Sequence, residues 1–211
     1  MKPYVIKGMI LSLVLGLFAC YPGGPEFIDQ LDLVYTDYDD AFDFQSRVTY
    51  ALPDGVIEID DEEPDDPPKF IDELYSEAIL DRLRANLNAR GYTEVDEDVE
   101  DPDLVVLASA MTSTNLYWLY DPCYWCWWGP WWGPGYGWGY PWYPGGGYVS
   151  GYTTGTIFIQ LVSTDDIVGE EVPVSWTATI NGLLQGSEQN KLSRIDNTID
   201  QAFDQSPYLE K

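Results

Sequence analysis

Histidine is absent from this chain of 211 residues, and cysteine occurs only three times. A Ser-His-Asp catalytic arrangement therefore cannot form, because its general base is missing. A zinc site needs four ligands, most often cysteine and histidine, and this composition does not favour one. A glycine-rich phosphate-binding loop followed by lysine is also missing. These absences predict no metal and no cofactor, and they argue against several classes of enzyme.

Positive charge is scarce as well. Ten lysine and arginine residues stand against 36 aspartate and glutamate residues, and the formal net charge is -26. A field of this sign repels the phosphates of nucleic acids and the headgroups of anionic lipids. We therefore exclude DNA and RNA as partners. Any attachment to a membrane must come from a lipid and not from a basic patch.

Long apolar segments are missing too, apart from one short run near the N-terminus. Lys2 and Lys7 lie at its start, and the apolar run covers residues 8–18. A helix that spans a bilayer needs about 20 residues, so this run is too short to cross one. A basic start followed by a short apolar run is typical of a secretory signal peptide, which we predict over residues 1–19.

The end of this segment, Leu17-Phe18-Ala19-Cys20, resembles the lipobox of bacterial lipoproteins. The resemblance implies cleavage before Cys20, diacylglycerol on its sulfur, and a fatty acyl group such as palmitate on the new amino terminus. Two or more acyl chains hold a protein firmly at a membrane. Tyr21 follows instead of aspartate, which in similar proteins permits sorting to the outer membrane, in a leaflet that the sequence leaves open. The alternative is a soluble secreted protein with an incidental cysteine at its cleavage site.

Apolar periodicity predicts a single α+β domain over residues 31–209, joined to the anchor by a lipidated tether of residues 20–30. One amphipathic helix is predicted from about Phe70 to Arg90, and a second over residues 192–203. We expect a mostly antiparallel sheet of about five strands, with both helices packed on one face. The predicted strands are 31–36, 46–52, 104–114, 156–162 and 172–180, with Val174, Trp176, Ala178 and Ile180 on one side of the last.

An aromatic insert, Tyr117 to Tyr148, separates two of these strands. Fifteen of its 32 residues are Trp or Tyr, eight are Gly and five are Pro. Fifteen aromatic side chains can bury on the order of 2,000 Å², whereas the largest exposed apolar patch of a monomer is about 300–600 Å². Three interpretations stay open: a binding surface for glycan or protein, partial insertion at the membrane interface, or packing over the insert's own sheet. The candidate binding residues are Trp125, Trp127, Trp128, Trp131, Trp132, Trp138 and Trp142.

Cys123 and Cys126 lie inside this insert at C-x-x-C spacing. A local disulfide is the expected state in an oxidising compartment. A thioredoxin-type redox centre would need a helix directly after the pair. The sequence that follows is Trp127-Trp128-Gly129-Pro130, which does not favour one.

Acidic clusters at residues 60–66 and 94–103 raise the question of calcium. Asp96, Asp98 and Glu100 alternate as ligands do, but Asp101 and Leu107 replace the Gly and Glu of an EF-hand loop. A solvated acidic surface is the simpler interpretation. An irregular calcium site stays open.

Several short segments, spread over roughly Leu31 to Leu209, carry a resemblance to a known family. They are Asp43 to Tyr50, Arg90 to Tyr92, Pro102 to Val106, Gly155 to Leu161, Trp176 and Ile199 to Pro207. In this order they resemble a family of bacterial envelope lipoproteins known as domain-of-unknown-function family 4136, whose members often carry a Tyr/Trp/Gly-rich insert at the same place. The resemblance implies a lipoprotein of unassigned activity and offers no catalytic set.

We therefore expect a non-catalytic lipoprotein of the outer membrane, held there by acylated Cys20, that binds or scaffolds through its aromatic insert. Its expected partner is an envelope glycan or an outer-membrane protein. The alternative is a carboxylate-dependent glycan hydrolase that uses the insert as a sugar platform. That alternative needs two buried carboxyl groups about 5–10 Å apart in an aromatic cleft.

Overall fold

The computed structural model describes residues 33–59, 69–97, 99–111, 141–142, 155–165, 172–181 and 187–211. All of them belong to one compact unit, residues 32–211. The predicted signal peptide, the whole of the predicted tether and all of the aromatic insert except residues 141–142 lie outside the described residues.

A β-sheet forms the centre of the fold. Its main path has the order β1-β8-β7-β5-β2-β4, while β3 pairs with β5 and β6 pairs with β8. The strands are β1 (Leu33–Tyr38), β2 (Thr49–Ala51), β3 (Ile57–Ile59), β4 (Thr93–Glu94), β5 (Leu104–Met111), β6 (Pro141–Trp142), β7 (Thr156–Ser163) and β8 (Val172–Asn181).

The sheet is mixed, so the prediction of a mostly antiparallel sheet of about five strands was wrong for one half of it. β1, β8, β7 and β5 are antiparallel neighbours, as predicted for the insert-flanking strands and for the hairpin after them. β2 and β3 instead run parallel to β5, and β4 runs parallel to β2. A helix lies between β3 and β4 in the chain. A helical crossover of this kind returns the chain in its original direction.

The first helix, α1, spans Glu73–Ala89 and confirms the predicted helix in this region. The side chain of Asp72 caps it by accepting a hydrogen bond from the backbone N–H of Leu74 at 3.0 Å. Ile79, Leu83 and Leu87 share one buried side, because residues four apart lie one above the other. The chain leaves the helix through Gly91, whose φ of 92° requires a residue without a β-carbon.

The second helix, α2, spans Glu188–Asp204 and begins before the predicted Leu192. Ser187 caps it by accepting a hydrogen bond from the backbone N–H of Asn190 at 3.4 Å. A short 3₁₀ turn, Pro207–Leu209, follows. The indole N–H of Trp176 donates to Ser206 Oγ at 2.8 Å, which ties the end of α2 to β8.

Both helices pack on the same face of the sheet, as expected. This helix-covered face supplies alternate residues of the long strands to the main core, including Val106, Ile159 and Trp176. α1 adds Leu83 and α2 adds Phe203 to the same cluster. The apolar side of each helix, formed by residues about four apart, therefore faces the apolar side of the strands, formed by every second residue.

One irregularity in β8 changes which residues share a face. Leu161 pairs with Trp176 but Val162 pairs with Val174, so Ser175 is an extra residue. Its hydroxyl donates to the carbonyl oxygen of Leu161 at 2.9 Å. A bulge of this kind reverses the alternation of a strand. Val174 therefore leaves the main core, and the prediction that it lies on the side of Trp176 was wrong.

Candidate functional site

Trp142 is the only predicted binding residue that falls within the described part of the chain. It lies in β6, where it pairs with Pro173 of β8 in the parallel direction. The remaining predicted site residues lie outside the described residues: Cys20, Cys123, Trp125, Cys126, Trp127, Trp128, Trp131, Trp132 and Trp138.

The root of the aromatic insert is a paired position in the middle of the sheet. Met111 at the end of β5 pairs with Thr156 at the start of β7. The backbone N–H of Gly155 donates to the carbonyl oxygen of Met111 at 2.7 Å, and Gly155 has a positive φ of 91°. Residues 112–154 thus leave and re-enter the sheet side by side, so the insert does not interrupt the strand pairing.

β6 places part of the same segment at the opposite end of the sheet. It pairs with Val172 and Pro173, at the start of β8. Val174, two residues on, lies opposite Val162, whereas Ile180 near the other end lies opposite Ile157. Met111 belongs to the Ile157 end. β6 therefore lies at the Val172 end of β8, whereas Met111 and Thr156 lie at the Ile180 end.

The sheet face turned away from both helices, called here the second face, is also buried. Every residue of its central rows is at most 8% exposed. None of its apolar residues belongs to the main core cluster. The rows are Ala51, Val105, Val162 and Val174; Leu107, Gln160 and Thr177; Ile57, Ser109, Phe158 and Thr179; and Ile59, Met111 and Thr156.

The middle of the second face mixes polar with apolar side chains. Ser109, Gln160, Thr177 and Thr179 are all buried there, beside Phe158. An alternation of polar and apolar residues in an antiparallel sheet is typical of one solvated face. Burial of hydroxyl and amide groups costs free energy unless they form hydrogen bonds. The second face therefore has the amino-acid pattern of a solvent-exposed sheet face, although its side chains are buried.

Burial decreases towards β1, at the rim of the second face. Tyr35 and Asp37 occupy this rim and are half-buried. The Tyr35 hydroxyl donates to Asp37 Oδ2 at 3.4 Å. Burial, followed by the nearby charge of Asp37, raises the pKa of Tyr35. The exposure of the second face therefore rises at its β1 rim.

Carboxyl groups in the described segments do not form the buried pair that glycan hydrolysis needs. The buried polar and charged side chains of these segments include no Asp or Glu. Burial disfavours the charged form of Asp200, but hydrogen bonds from Arg82 and Asn86 outweigh it and lower the pKa of Asp200. A general acid needs a raised pKa, so Asp200 is unsuited to that role.

The acidic loop considered for calcium contains a backbone turn. The N–H groups of Val99 and Glu100 both donate to the carbonyl oxygen of Asp96 at 3.0 Å. Within the ranges that the structure describes, no three His, Cys, Asp or Glu side chains are grouped as a metal site would require. Asp98 and residues 60–66 lie outside these ranges, so the calcium question stays open.

The segment 43–50, which carries part of the family resemblance, has a structural role. Asp103 Oδ2 accepts hydrogen bonds from the backbone N–H groups of Val48 at 2.6 Å and Thr49 at 2.9 Å. In return, Thr49 Oγ1 accepts a hydrogen bond from the N–H of Asp103 at 2.9 Å. Burial opposes ionisation of Asp103, but these backbone hydrogen bonds outweigh it and lower its pKa. The exchange joins β2 to the start of β5.

An aromatic cluster beside this segment was missed by sequence reasoning. The rings of Tyr38 and Tyr208 stack with centroids 3.7 Å apart, and those of Phe42 and Phe44 meet edge to face at 4.8 Å. Tyr38 remains 44% exposed. The ammonium group of Lys211 donates to the carbonyl oxygens of Phe44 and Arg47. Tyr38 and Tyr208 lie far apart in the chain, so no local sequence pattern predicts that their rings stack.

No helix among the described segments has the length and apolar character needed to cross a bilayer.

Comparisons with known proteins agree on the family. A family model described as "Domain of unknown function (DUF4136)" matches residues 34–208. A crystal structure of a DUF4136 family protein from Bacteroides thetaiotaomicron aligns with a TM-score of 0.67 and 30% identity, covering 85% of this chain and 97% of that one. No curated protein matches the chain.

Two crystal forms of the PelC dodecamer from Paraburkholderia phytofirmans align more weakly. Their TM-scores are 0.39 and 0.41 at 10% and 11% identity, each over 85% of this chain and 98% and 99% of the PelC chains. This likeness is too low to carry an inference about assembly. The family match and the Bacteroides structure, by contrast, cover nearly all of the folded unit, and the chain belongs to the DUF4136 family.

Proposed function

We propose that this protein is a non-catalytic envelope lipoprotein, anchored in the outer membrane by acylated Cys20, that binds or scaffolds through its aromatic insert. The observation that carries the proposal is the insert itself. Fifteen Trp and Tyr residues stand in one segment of 32, between adjacent strands of an otherwise regular sheet. Long loops of unusual composition on a rigid framework are where binding function is commonly found.

The strands that flank the insert give it a rigid base from which to present a binding surface. The strands on either side of it, β5 and β7, pair with each other over eight residues each. A rigid base lowers the entropy lost when a loop binds its partner. Trp and Tyr add large contact areas with few rotatable bonds, and they dominate interface energetics.

An envelope glycan or an outer-membrane protein fits this surface better than an anionic ligand does. The insert carries a single charged residue, Asp121, while the whole chain is strongly acidic. Aromatic rings stack on the apolar faces of sugars and fill pockets on proteins without needing charge. Nucleic acids and anionic headgroups are disfavoured by the field of the acidic body.

The anchor is tested by labelling cells with a clickable palmitate analogue. The native protein should incorporate the label and partition with outer membranes, whereas Cys20→Ala should lose both properties. The double variant Cys123→Ser and Cys126→Ser is the matched control, and it should label like the native protein. Equal labelling of the native protein and Cys20→Ala would end the lipoprotein interpretation.

The binding surface is tested by affinity capture from solubilised membranes. The native protein is compared with a variant that lacks Tyr117 to Tyr148, and captured glycans and proteins are identified. Phe70→Ala, which removes a half-exposed aromatic ring outside the insert, is the control. We expect the deletion to lose specific partners and the control to keep them. Recovery of the same partners by both variants would show that the insert is not the binding surface.

A further inference from the structure

We propose that the rings of Tyr38, Phe42 and Tyr208, called here the tyrosine surface, bind a basic segment of a partner protein. An arginine or lysine side chain of that segment would lie on the free face of the Tyr38 ring. All three residues are described by the structure, and none belongs to the aromatic insert. The inference therefore goes beyond the proposed function and does not depend on what the insert binds.

One face of the Tyr38 ring is available to a ligand. Its other face stacks on Tyr208, with ring centroids 3.7 Å apart and ring planes inclined by 21°. Tyr38 nevertheless stays 44% exposed. Since the stacked face is covered, the exposed area of the ring belongs to its opposite face and its edge. The face of an aromatic ring attracts cations, because the π electrons give it a partial negative charge.

The ring beneath Tyr38 is held in place. The Tyr208 hydroxyl donates to Ser206 Oγ at 3.1 Å, and the indole N–H of Trp176 donates to the same oxygen at 2.8 Å. Ser206 Oγ in turn donates to the carbonyl oxygen of Ala202 at 2.9 Å, near the end of α2. Burial raises the pKa of Tyr208, so its hydroxyl keeps the proton that this hydrogen bond needs. A platform fixed in this way loses little conformational entropy when a ligand binds.

The domain places several of its own cations on aromatic rings. These pairs are Arg47 over Phe42, Arg90 over Phe203, Lys191 over Tyr75 and Lys211 over Tyr92, at 4.3 to 5.5 Å from the ring centroids. None of the four pairs involves the Tyr38 ring. Since the chain has only ten lysine and arginine residues, a cation for the free face of Tyr38 is more readily supplied by a partner.

Carboxylates adjoin Tyr38 on both sides in the chain. Asp37 precedes it, and Asp39 and Asp40 follow it. The charge of Asp37 reaches the ring beneath, since it adds to the effect of burial in raising the pKa of Tyr208. Carboxylates beside a ring strengthen its attraction for a cation and repel an anion. The net charge of -26 acts in the same direction over a longer range.

The cations of the neighbouring aromatic cluster do not offset these carboxylates, because both are engaged within the domain. Arg47 pairs with Asp165 at 2.6 Å. The ammonium group of Lys211 donates to the carbonyl oxygens of Phe44 and Arg47, and it lies 4.3 Å from the centroid of the Tyr92 ring. The tyrosine surface therefore fits a partner that brings positive charge.

A basic protein segment fits this surface better than a sugar or a lipid headgroup does. The planar guanidinium of arginine stacks on aromatic rings and donates hydrogen bonds to carboxylates. A neutral sugar can also stack on Tyr38, but the surrounding negative charge adds nothing to its attraction. An anionic headgroup is repelled by the same charge.

Peptide titrations in the full-length protein test this surface. The probe is a fluorescein-labelled peptide of arginines alternating with glycines, and its binding to detergent-solubilised protein is followed by anisotropy. Tyr38→Leu keeps an apolar side chain but removes the aromatic face, so it should weaken binding about 3- to 10-fold. Tyr38→Phe keeps the ring and should bind within about 2-fold of the native protein. Native affinity in a folded Tyr38→Leu variant would overturn the proposal.

Phe70→Leu is the matched control, because Phe70 is an aromatic side chain of similar exposure, 49%, close to the start of α1. It should bind the peptide as the native protein does. The variant that lacks Tyr117 to Tyr148 should also keep peptide binding, which separates this inference from the proposed function. Equal weakening by Phe70→Leu and Tyr38→Leu, or loss of binding in the deletion variant alone, would place the peptide elsewhere and overturn the proposal.

Neutralising one carboxylate gives a second measurement that leaves every ring in place. Asp40→Asn and Asp196→Asn remove the same charge from two exposed positions, one near Tyr38 and one on α2. Asp40→Asn should weaken peptide binding about 2- to 3-fold more than Asp196→Asn does. Equal effects would mean that only the overall charge attracts the peptide, and would overturn the proposal. Tighter binding of N-acetylchitotetraose than of the peptide, lost in Tyr38→Leu, would overturn it in favour of a neutral sugar.

Discussion

The two faces of the sheet are equally buried, but their amino-acid compositions differ. The strands of the helix-covered face use mainly Val, Leu, Ile, Ala and Trp, in step with the apolar sides of α1 and α2. The second face uses Ser, Thr and Gln beside Val, Leu and Phe. Periodicity identifies the first face because its partners are regular elements. It misses the second, because a polar strand face with no helix opposite it resembles one that meets water.

The contrast shows that burial and hydrophobicity do not always go together. Strand residues opposite α1 and α2 meet mostly apolar side chains, so they gain most from being apolar. The hydroxyl and amide side chains of the second face are buried as well, and such groups are tolerated where they form hydrogen bonds. Substitutions on each face test how much that face contributes to the free energy of unfolding.

Phe203→Ala should produce the largest effect. Phe203 is fully buried, and its ring lies 5.2 Å from that of Trp176. Loss of the ring leaves a cavity in a close-packed core and should lower the free energy of unfolding by about 3–5 kcal/mol. Urea denaturation followed by circular dichroism measures this value. A loss below about 1 kcal/mol would mean that the helix-covered face is not the main core.

Phe158→Ala is the matched change on the second face, and a smaller effect is expected. Both residues are Phe and both are buried, but Phe203 belongs to the main core cluster, whereas Phe158 lies outside it, beside the polar residues Ser109 and Thr179. We expect a loss of roughly 1–3 kcal/mol, since the cost of a cavity falls as its surroundings collapse. The same denaturation experiment applies. A loss equal to that of Phe203→Ala would indicate that both faces are packed with equal rigidity.

Asp103→Asn should have an effect of about 1 kcal/mol that depends on pH, because the carboxylate holds two backbone N–H groups of β2. The folded-state pKa of Asp103 lies below its usual value. Its charge therefore contributes stability above the unfolded pKa of about 3.9, and this contribution disappears as the pH falls through the lower folded pKa. Unfolding measured between pH 7 and pH 2 should show the native protein and the variant converging under acid. A constant difference across this range would contradict the charge-based explanation.

Thr177→Val should have the smallest effect, a loss of up to about 1 kcal/mol. The substitution keeps the shape of the side chain and removes a hydroxyl that is buried in the second face. A buried hydroxyl is costly unless it is hydrogen-bonded, so we expect its removal to leave a partner unsatisfied. Ala178→Ser, which adds a hydroxyl to the helix-covered face one residue away, should be more damaging. A gain in stability for Thr177→Val would mean that the second face does not select for polar side chains.

The sequence predicted those elements that are long and strongly periodic. Both helices and the long strands β5, β7 and β8 were found, because each repeats its pattern over eight or more residues. β1 overlaps the predicted strand 31–36, and β2 lies within the predicted strand 46–52, although its parallel direction was not predicted. β3 and β4 have three and two residues, too few for a period to appear. Their direction is decided by the α1 crossover, which is a tertiary property. The bulge at Ser175 likewise depends on pairing with Leu161, and nothing in the β8 sequence marks it.

The candidate site also has a part that the sequence predicted and a part that it did not. The sequence located the insert between β5 and β7, and the pairing of Met111 with Thr156 confirms that these strands are neighbours. It gave no indication that the sheet beneath is buried on both sides, because burial depends on residues distant in the chain. The acyl anchor at Cys20 and the disulfide between Cys123 and Cys126 remain predictions.

The closed stem at Met111 and Gly155 has a consequence for how this family can diversify. Once the two feet of a loop are fastened together, each doubling of its length adds only about 0.6 kcal/mol of closure entropy. A change in the number of residues between Met111 and Gly155 should therefore cost the domain little closure entropy, provided that the pairing of β5 with β7 keeps its register.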